Sequence, residues 1–311
     1  MAGRAARVVA QAKVNLFLRV LAREESGYHQ LETLFCRLDL GDDVVVRTGG
    51  RGRALDCRGP DLGPVEQNLA YRAAVAYAEV RGWPRAFDIE IDKRIPVGGG
   101  LGGGSADAGA VLRCLNALAR RPLSQAELLA VAARLGADVP FLTLDAPLGL
   151  AWGRGERILA LPALPTRTVG LYCFAQGIAT RDAYAWLAES GGAYAPSPKA
   201  WTADDFASWA RVAAVATNDF EPVAAAHHAG VRDGLRELRS LARQVSRHHD
   251  AAIITQMSGS GATLFLIVAE ARPDFTLMVI DEPRSLRAPD AEPRLIPTAT
   301  AGRVAQVEVI D

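Results

Sequence analysis

The stretch from Pro96 to Gly109 reads Pro-Val-Gly-Gly-Gly-Leu-Gly-Gly-Gly-Ser-Ala-Asp-Ala-Gly, with six glycines in the seven positions from Gly98 to Gly104. It follows a segment in which Phe87, Ile89 and Ile91 alternate with Asp88, Glu90 and Asp92, the pattern of a strand. It precedes one in which Ala106, Ala110, Leu115 and Leu118 supply a single apolar face, predicting a helix from about Ser105 to Ala119. Glycine enters left-handed backbone space without steric cost and lets other groups approach the main chain. A strand-to-helix loop of this kind leaves backbone N–H groups free at the positive end of a helix, a ready site for anions. The loop therefore reads as a cradle for nucleotide phosphates. A flexible linker is the plainer reading, but a linker would lack the flanking order.

Two common phosphate loops are excluded. The P-loop needs a lysine directly after its last glycine, and here Ser105, Ala106 and Asp107 follow. A dinucleotide fingerprint spaces its glycines sparsely and opens a βαβ unit, whereas this run starts behind a long N-terminal segment.

With 311 residues, 50% of them hydrophobic and 23% charged, the chain fits a soluble protein of one large domain or two average ones. Lys+Arg and Asp+Glu each number 35, so no long-range field draws nucleic acid or an anionic membrane, and a phosphate site must be local. The cysteines at 36, 57, 114 and 173 form no C-x-x-C pair and have no histidine at ligand spacing. That argues against zinc and for reduced thiols in a cytoplasmic protein, with Cys114 a core residue. No apolar run reaches membrane-span length, and the start MAGRAARVVAQAKVNLFLRV is too interrupted for a signal peptide.

Along the chain, residues 8–20 alternate as a half-buried strand that puts Lys13 and Asn15 on one face. Residues 26–30 form a turn, 42–46 a strand, and Asn68 stands at the N-cap of an alanine-rich helix running to about Val80. The strand over 87–91 delivers Lys93 and Arg94 to the edge of the glycine loop. Ser124 and Glu127 make a capping box for a helix ending at Gly136. Asp138 follows in Gly-Ala-Asp-Val-Pro-Phe. A composition shift after Pro147 places a domain boundary near 150, dividing the chain into 1–150 and 151–311. Beyond it we expect a strand over 166–175, a loop over 190–205, helix over 205–216 and 221–249, and short strands at Ile253-Ile254 and Thr263–Ala269. Between those two strands lies a tight turn, Met257-Ser-Gly-Ser-Gly-Ala262. The segment 271–294 carries little pattern, and 304–310 reads as a closing strand. Taken singly, Lys13 could be a solvated strand lysine, Asn68 and Asp138 caps, and Tyr28-His29 a turn with half-exposed rings.

Taken together, these motifs resemble the GHMP kinase superfamily. Its three motifs appear as Ala10-Gln-Ala-Lys13-Val-Asn15-Leu-Phe-Leu, as Pro96 to Asp107, and as Met257 to Ala262. Further segments look like the branch acting on 4-diphosphocytidyl-2-C-methyl-D-erythritol: Gly27-Tyr28-His29-Gln-Leu-Glu-Thr-Leu-Phe, Leu38-Asp-Leu-Gly-Asp-Asp, Asn68-Leu-Ala-Tyr-Arg-Ala, Gly136-Ala-Asp138-Val-Pro-Phe, Thr180-Arg-Asp-Ala-Tyr184 and Asn218-Asp219-Phe-Glu. The resemblance spans about residues 8–268. Gln11 departs from it, standing where the family has proline, and 271–294 is longer and more polar than the family pattern.

The resemblance implies an α+β, two-domain GHMP kinase fold, N-terminally like ribosomal protein S5 domain 2, with a GHMP-kinase C-terminal domain. It implies transfer of the ATP γ-phosphate to the 2-hydroxyl of a cytidine-diphosphate-linked methylerythritol, with Mg²⁺ carried by ATP, in non-mevalonate isoprenoid precursor synthesis. Lys13 and Asp138 are then the catalytic pair. Lys93, Pro96, Val97, Gly98, Gly99, Gly100, Leu101, Gly102, Gly103, Gly104, Ser105 and Ala106 are the nucleotide-binding residues. Asn15, Tyr28, His29, Asn68 and Tyr184 are the substrate-binding residues, and no residue is assigned to the metal. The expected partners are the small-molecule substrate and ATP, with no nucleic acid and no membrane, for a monomer or homodimer. The rival readings are a homoserine- or mevalonate-type GHMP kinase and a nucleotide-binding protein without catalysis.

Overall fold

A computed structural model describes residues 3–191, 199–249, 252–270 and 293–310. Part of the loop expected over 190–205, and nearly all of the segment 271–294, lie outside the described residues.

Strands β1 (Arg4–Arg23) and β2 (His29–Thr48) form one long hairpin, with Ala5 opposite Arg47 and Val20 opposite Leu31. Because β2 is twenty residues long, its two halves pair with different strands. Residues 43–48 take β4 (Phe87–Asp92), and residues 31–36 take β5 (Leu148–Gly153), both antiparallel. Strand β3 (Arg53–Arg58) lies parallel to β4, and α1 (Leu69–Arg81) makes the crossover between them. β6 (Arg157–Leu161) extends β5, and β11 (Glu308–Ile310) closes the far edge against β1. These seven strands form one sheet among the described residues. Helix α2 (Gly103–Leu118) packs across β1 and β2, flanked by α1, α3 (Gln125–Ala133) and the short α4 (Val139–Thr143).

A second sheet, in the order β10-β7-β9-β8, is antiparallel throughout. It is built from β7 (Thr168–Cys173), β8 (Ala252–Met257), β9 (Leu264–Glu270) and β10 (Arg294–Ala299). Its period-two pattern divides the apolar side chains between two cores. Val169, Leu171, Phe265 and Ile267 join the main core, with Trp209 and Val212 of α6 (Trp209–Val215). Tyr172, Leu264, Leu266 and Val268 face the other way, beneath α5 (Thr180–Glu189), α7 (Glu221–His227) and α8 (Ala229–His249).

Local signals hold well. Asn68 caps α1 by accepting from Ala70 N at 2.9 Å, and the Ser124–Glu127 capping box forms in both directions. Cys114 is fully buried.

Four expectations are corrected. β1 is buried on both faces from Ala10 to Leu18, not on one, because Trp201 and Phe206 stack on Phe17 from the side expected to meet solvent. The boundary expected near 150 falls inside β5, so the first sheet runs on to Leu161 and takes back 308–310. The closing strand covers only 308–310 of the expected 304–310. Helix α2 starts two residues early, at Gly103, because Gly102 caps it from the left-handed region at φ 73°.

Candidate active site

The glycine loop leaves β4 and turns into α2 directly over Lys13. Two of its glycines are required by close approach. At Gly100 (φ +76°) an added Cβ would lie 2.1 Å from the carbonyl oxygen of Ser258, and at Gly102 (φ +73°) it would meet the Lys13 stem at 3.1 Å. The first contact is where the Met257–Ala262 turn of the second sheet docks on the loop. Ser258 Oγ donates to Gly100 O at 2.9 Å, and Thr263 N donates to Gly99 O at 3.2 Å. Asn218 steadies this turn from behind, its amide donating to Met257 O and Gly259 O at 2.7 and 2.8 Å.

Lys13 is 4% exposed at its side chain, and its backbone N donates to Leu101 O at 3.0 Å. Its ammonium donates to Asn15 Oδ1 at 2.7 Å and Gly100 O at 3.0 Å, and pairs with Asp138 Oδ2 at 3.3 Å. Three ammonium protons meet three acceptors, so the head group is held in one place. Asn15 is fixed in turn, donating to Thr33 Oγ1 at 2.8 Å, while Thr33 donates to Phe17 O at 2.6 Å. Asp138 precedes α4 and caps no backbone N–H with its side chain, which is 30% exposed toward the cleft. The capping reading of Asp138 thus gives way to an ion pair at a cleft wall.

The cleft has a volume of about 1020 Å³ and is lined by Lys13, Asn15, Tyr28, His29, Asp138 and Tyr184, among others. That is room for more than one small molecule. From the loop, Gly98, Gly100, Gly102, Gly103, Gly104 and Ser105 line it. Leu101 and Ala106 are buried beneath, and Val97 is exposed. Farther along, His29 stacks on Tyr184 with ring centroids 4.2 Å apart and planes 18° from parallel. Burial lowers the His29 pKa, with the charge of Arg23 adding to it, so the ring is held toward its neutral form. Burial pushes the Tyr184 phenol up to about 12, with Asp138 adding to the effect. Tyr28 is 59% exposed and carries the Arg154 guanidinium over its ring, 4.1 Å from the centroid.

Two expected contacts move. The Lys93 ammonium does not line the cleft. It is 3% exposed and lies beneath the loop, 2.5 Å from Asp42 Oδ2 and 2.8 Å from Asp107 Oδ2. Asn68 spends its side-chain oxygen on capping α1.

Three contributions escaped sequence reasoning. Arg154 lines the cleft beside Tyr28 and is ion-paired to Glu24. Thr180 and Ser260 hydroxyls meet at 3.1 Å across its mouth. Arg37, 1% exposed, donates to the carbonyls of Phe141, Leu144 and Ala146 at 2.8, 2.8 and 3.1 Å, tying down the C-terminal end of α4. The Gly-Ser-Gly turn and the Thr180–Tyr184 segment carried a signal for the hydroxyl pair. The two arginines give none until the strands are paired.

Among the described residues, no group of three or more His, Cys, Asp or Glu side chains is placed to hold a metal ion. No helix there is long and apolar enough to cross a membrane.

Residues 68–145 match the family profile of the GHMP kinases N terminal domain. The 4-diphosphocytidyl-2-C-methyl-D-erythritol kinase of Deinococcus radiodurans is 36% identical over 265 residues, covering 84% of each chain. The kinase of that name from Anaeromyxobacter dehalogenans is 47% identical over 196 residues, 60% of this chain and 61% of that one, so the match spans less than two thirds of that relative. A crystal structure of 4-(cytidine 5'-diphospho)-2C-methyl-D-erythritol kinase superposes with a TM-score of 0.72 at 33% identity, over 95% of this chain and 100% of that one. Homoserine kinase from Cytophaga hutchinsonii, at 17% identity and a TM-score of 0.67, covers 100% of this chain and 98% of its own and is alike in fold alone. The chain belongs to the GHMP kinases, in the family of the 4-diphosphocytidyl-2-C-methyl-D-erythritol kinases.

Proposed function

We propose that this chain transfers the γ-phosphate of ATP to the tertiary 2-hydroxyl of 4-diphosphocytidyl-2-C-methyl-D-erythritol. The observation that carries the reading is the Lys13–Asp138 pair, 3.3 Å apart, set between the glycine loop and the His29–Tyr184 stack. The loop's backbone N–H groups and the N-terminus of α2 hold the phosphates. Asp138 Oδ2 accepts the proton of the substrate hydroxyl as its oxygen bonds to the γ-phosphorus, and the bond to the bridging oxygen breaks with its electron pair leaving on ADP. Lys13 holds the Asp138 carboxylate in place through their ion pair and faces the charge that spreads over the transferring group. Mg²⁺ enters with the nucleotide, as MgATP.

Tyr28, the His29–Tyr184 pair and Arg154 form the end of the cleft suited to a flat, polar-edged base. That end disfavours homoserine or mevalonate as acceptor, since neither carries a base. The Lys13–Asp138 pair disfavours a protein that only binds nucleotide. The four cysteines are free thiols, which fits a cytoplasmic enzyme. The test is ADP release with MgATP and, in turn, the cytidylated substrate, free methylerythritol, homoserine and mevalonate. Turnover with the cytidylated compound alone is expected. Turnover with homoserine or mevalonate, or none with any, overturns the reading.

A further inference from the structure

Beneath the glycine loop lies a cluster of charges that the proposed chemistry does not use. The Lys93 ammonium sits between Asp42 of β2 and Asp107 of α2, and the three side chains are 3%, 0% and 2% exposed. Asp42 also accepts through its other oxygen from Arg94 N at 2.5 Å and Ile95 N at 2.8 Å. One carboxylate thus fixes the three residues that lead into the loop. Asp107 is the fifth residue of α2, where the loop ends. A single ammonium therefore ties both ends of the phosphate loop together, and it lies 3.3 Å from where a Cβ on Gly103 would stand.

The charges of the cluster do not balance. One cation faces two carboxyl groups, and the second oxygen of Asp107, Oδ1, is buried without a hydrogen-bond partner. Burial pushes the Asp107 carboxyl up to about 7, with Lys93 opposing and Asp42 adding to the rise. For Lys93, burial acts downward, but the two carboxylates outweigh it and raise its pKa. The groups facing Asp107 are Lys93 from the end of β4, Asp42 from β2 and the Cys57 thiol from β3, itself raised by burial. With both carboxyls ionised, the cluster would set one net negative charge under a seat for polyphosphate. With Asp107 protonated it is neutral, and its O–H becomes a donor.

We propose that Lys93, Asp42 and Asp107 form a positioning cluster that sets the span of the phosphate loop, and that Asp107 takes up a proton from solvent when a nucleotide polyphosphate fills the loop. This inference rests on the nucleotide-binding reading given above. It assigns Lys93 to holding the loop from below, with no contact to the nucleotide, and it gives Asp107 a role in nucleotide affinity.

The test is calorimetric binding of MgATP, without acceptor substrate, in buffers of differing ionisation enthalpy at pH 6.5, 7.5 and 8.5. The wild type is compared with Asp107→Asn and Asp107→Ala. Either variant leaves a one-to-one Lys93–Asp42 pair, and thermal melting without nucleotide checks that each is folded. The wild type is expected to take up more protons per nucleotide than Asp107→Asn at pH 7.5. Asp107→Ala, which frees one end of the clamp, is expected to weaken MgATP binding roughly tenfold, with kcat at saturating ATP within about twofold of wild type because the Lys13–Asp138 pair is untouched. Equal proton uptake by wild type and Asp107→Asn, together with unchanged affinity in Asp107→Ala, overturns the inference alone. A wild type that binds no MgATP overturns the nucleotide reading, and this inference with it.

Discussion

Lys13 and Arg37 are register partners across the β1–β2 hairpin, and they hold opposite ends of one short helix. Lys13 pairs with Asp138 before the first turn of α4, and Arg37 takes the carbonyls of Phe141, Leu144 and Ala146 at and beyond its last. The aspartate proposed as base is thus fixed to the same two strands that carry its lysine.

Replacing Asp138 with asparagine keeps the shape and removes the proton acceptor. We expect kcat to fall by roughly 10²–10⁴ with the KM for ATP little changed, in steady-state assays with the cytidylated substrate. Near-normal turnover would remove Asp138 from its proposed role.

Arg37→Met should act on stability first. Burial lowers the pKa of Arg37 to about 9, which still leaves it charged at neutral pH. Its loss removes three hydrogen bonds, those to the carbonyls of Phe141, Leu144 and Ala146, while Phe141 O keeps the one from Leu144 N at 3.2 Å. Urea unfolding should show a loss of about 3 kcal/mol. A variant within about 0.5 kcal/mol of wild type would show that α4 does not depend on this anchor.

His29 should give a pH signature on the substrate side. Its folded pKa is lowered below the ordinary 6.5, mainly by burial. The stability it contributes is therefore present above 6.5 and lost as pH falls through the folded value. The KM for the cytidylated substrate should rise on the acid side of the ordinary 6.5, while the KM for ATP stays flat. In His29→Gln that acid-side rise should vanish, as pH-resolved kinetics would show.

Gly100→Ala should undo the docking of the two glycine turns. The added carbon would stand 2.1 Å from Ser258 O, on a residue at φ +76°. Strain and overlap together should cost about 3 kcal/mol or more and abolish MgATP binding, read by thermal shift with and without nucleotide. Gly104→Ala is the control, since its nearest neighbour is a Leu69 methyl at 3.7 Å. It should fold as wild type does.

Much of the first half of the molecule was legible because its signals are local. Asn68, Ser124 with Glu127, and the alternation from Phe87 to Asp92 each report on neighbours a few residues away. The sharing of a face by Lys13 and Asn15 follows from the two-residue period and is seen as their 2.7 Å contact. What failed was non-local. Phe17 looked outward until Trp201 and Phe206 covered it, and nothing near residue 150 signals that β5 will pair with β2. Lys93 was legible as a residue beside the loop, but its two carboxylate partners come from positions 42 and 107.

The pairing of β11 with β1 sets Ala5 opposite Ile310 and Arg7 opposite Glu308, with the two charged side chains bridged at 2.8 Å. The segment that covers this edge thus comes from 301 residues away along the chain, so β1 keeps an open rim until that long-range pairing forms.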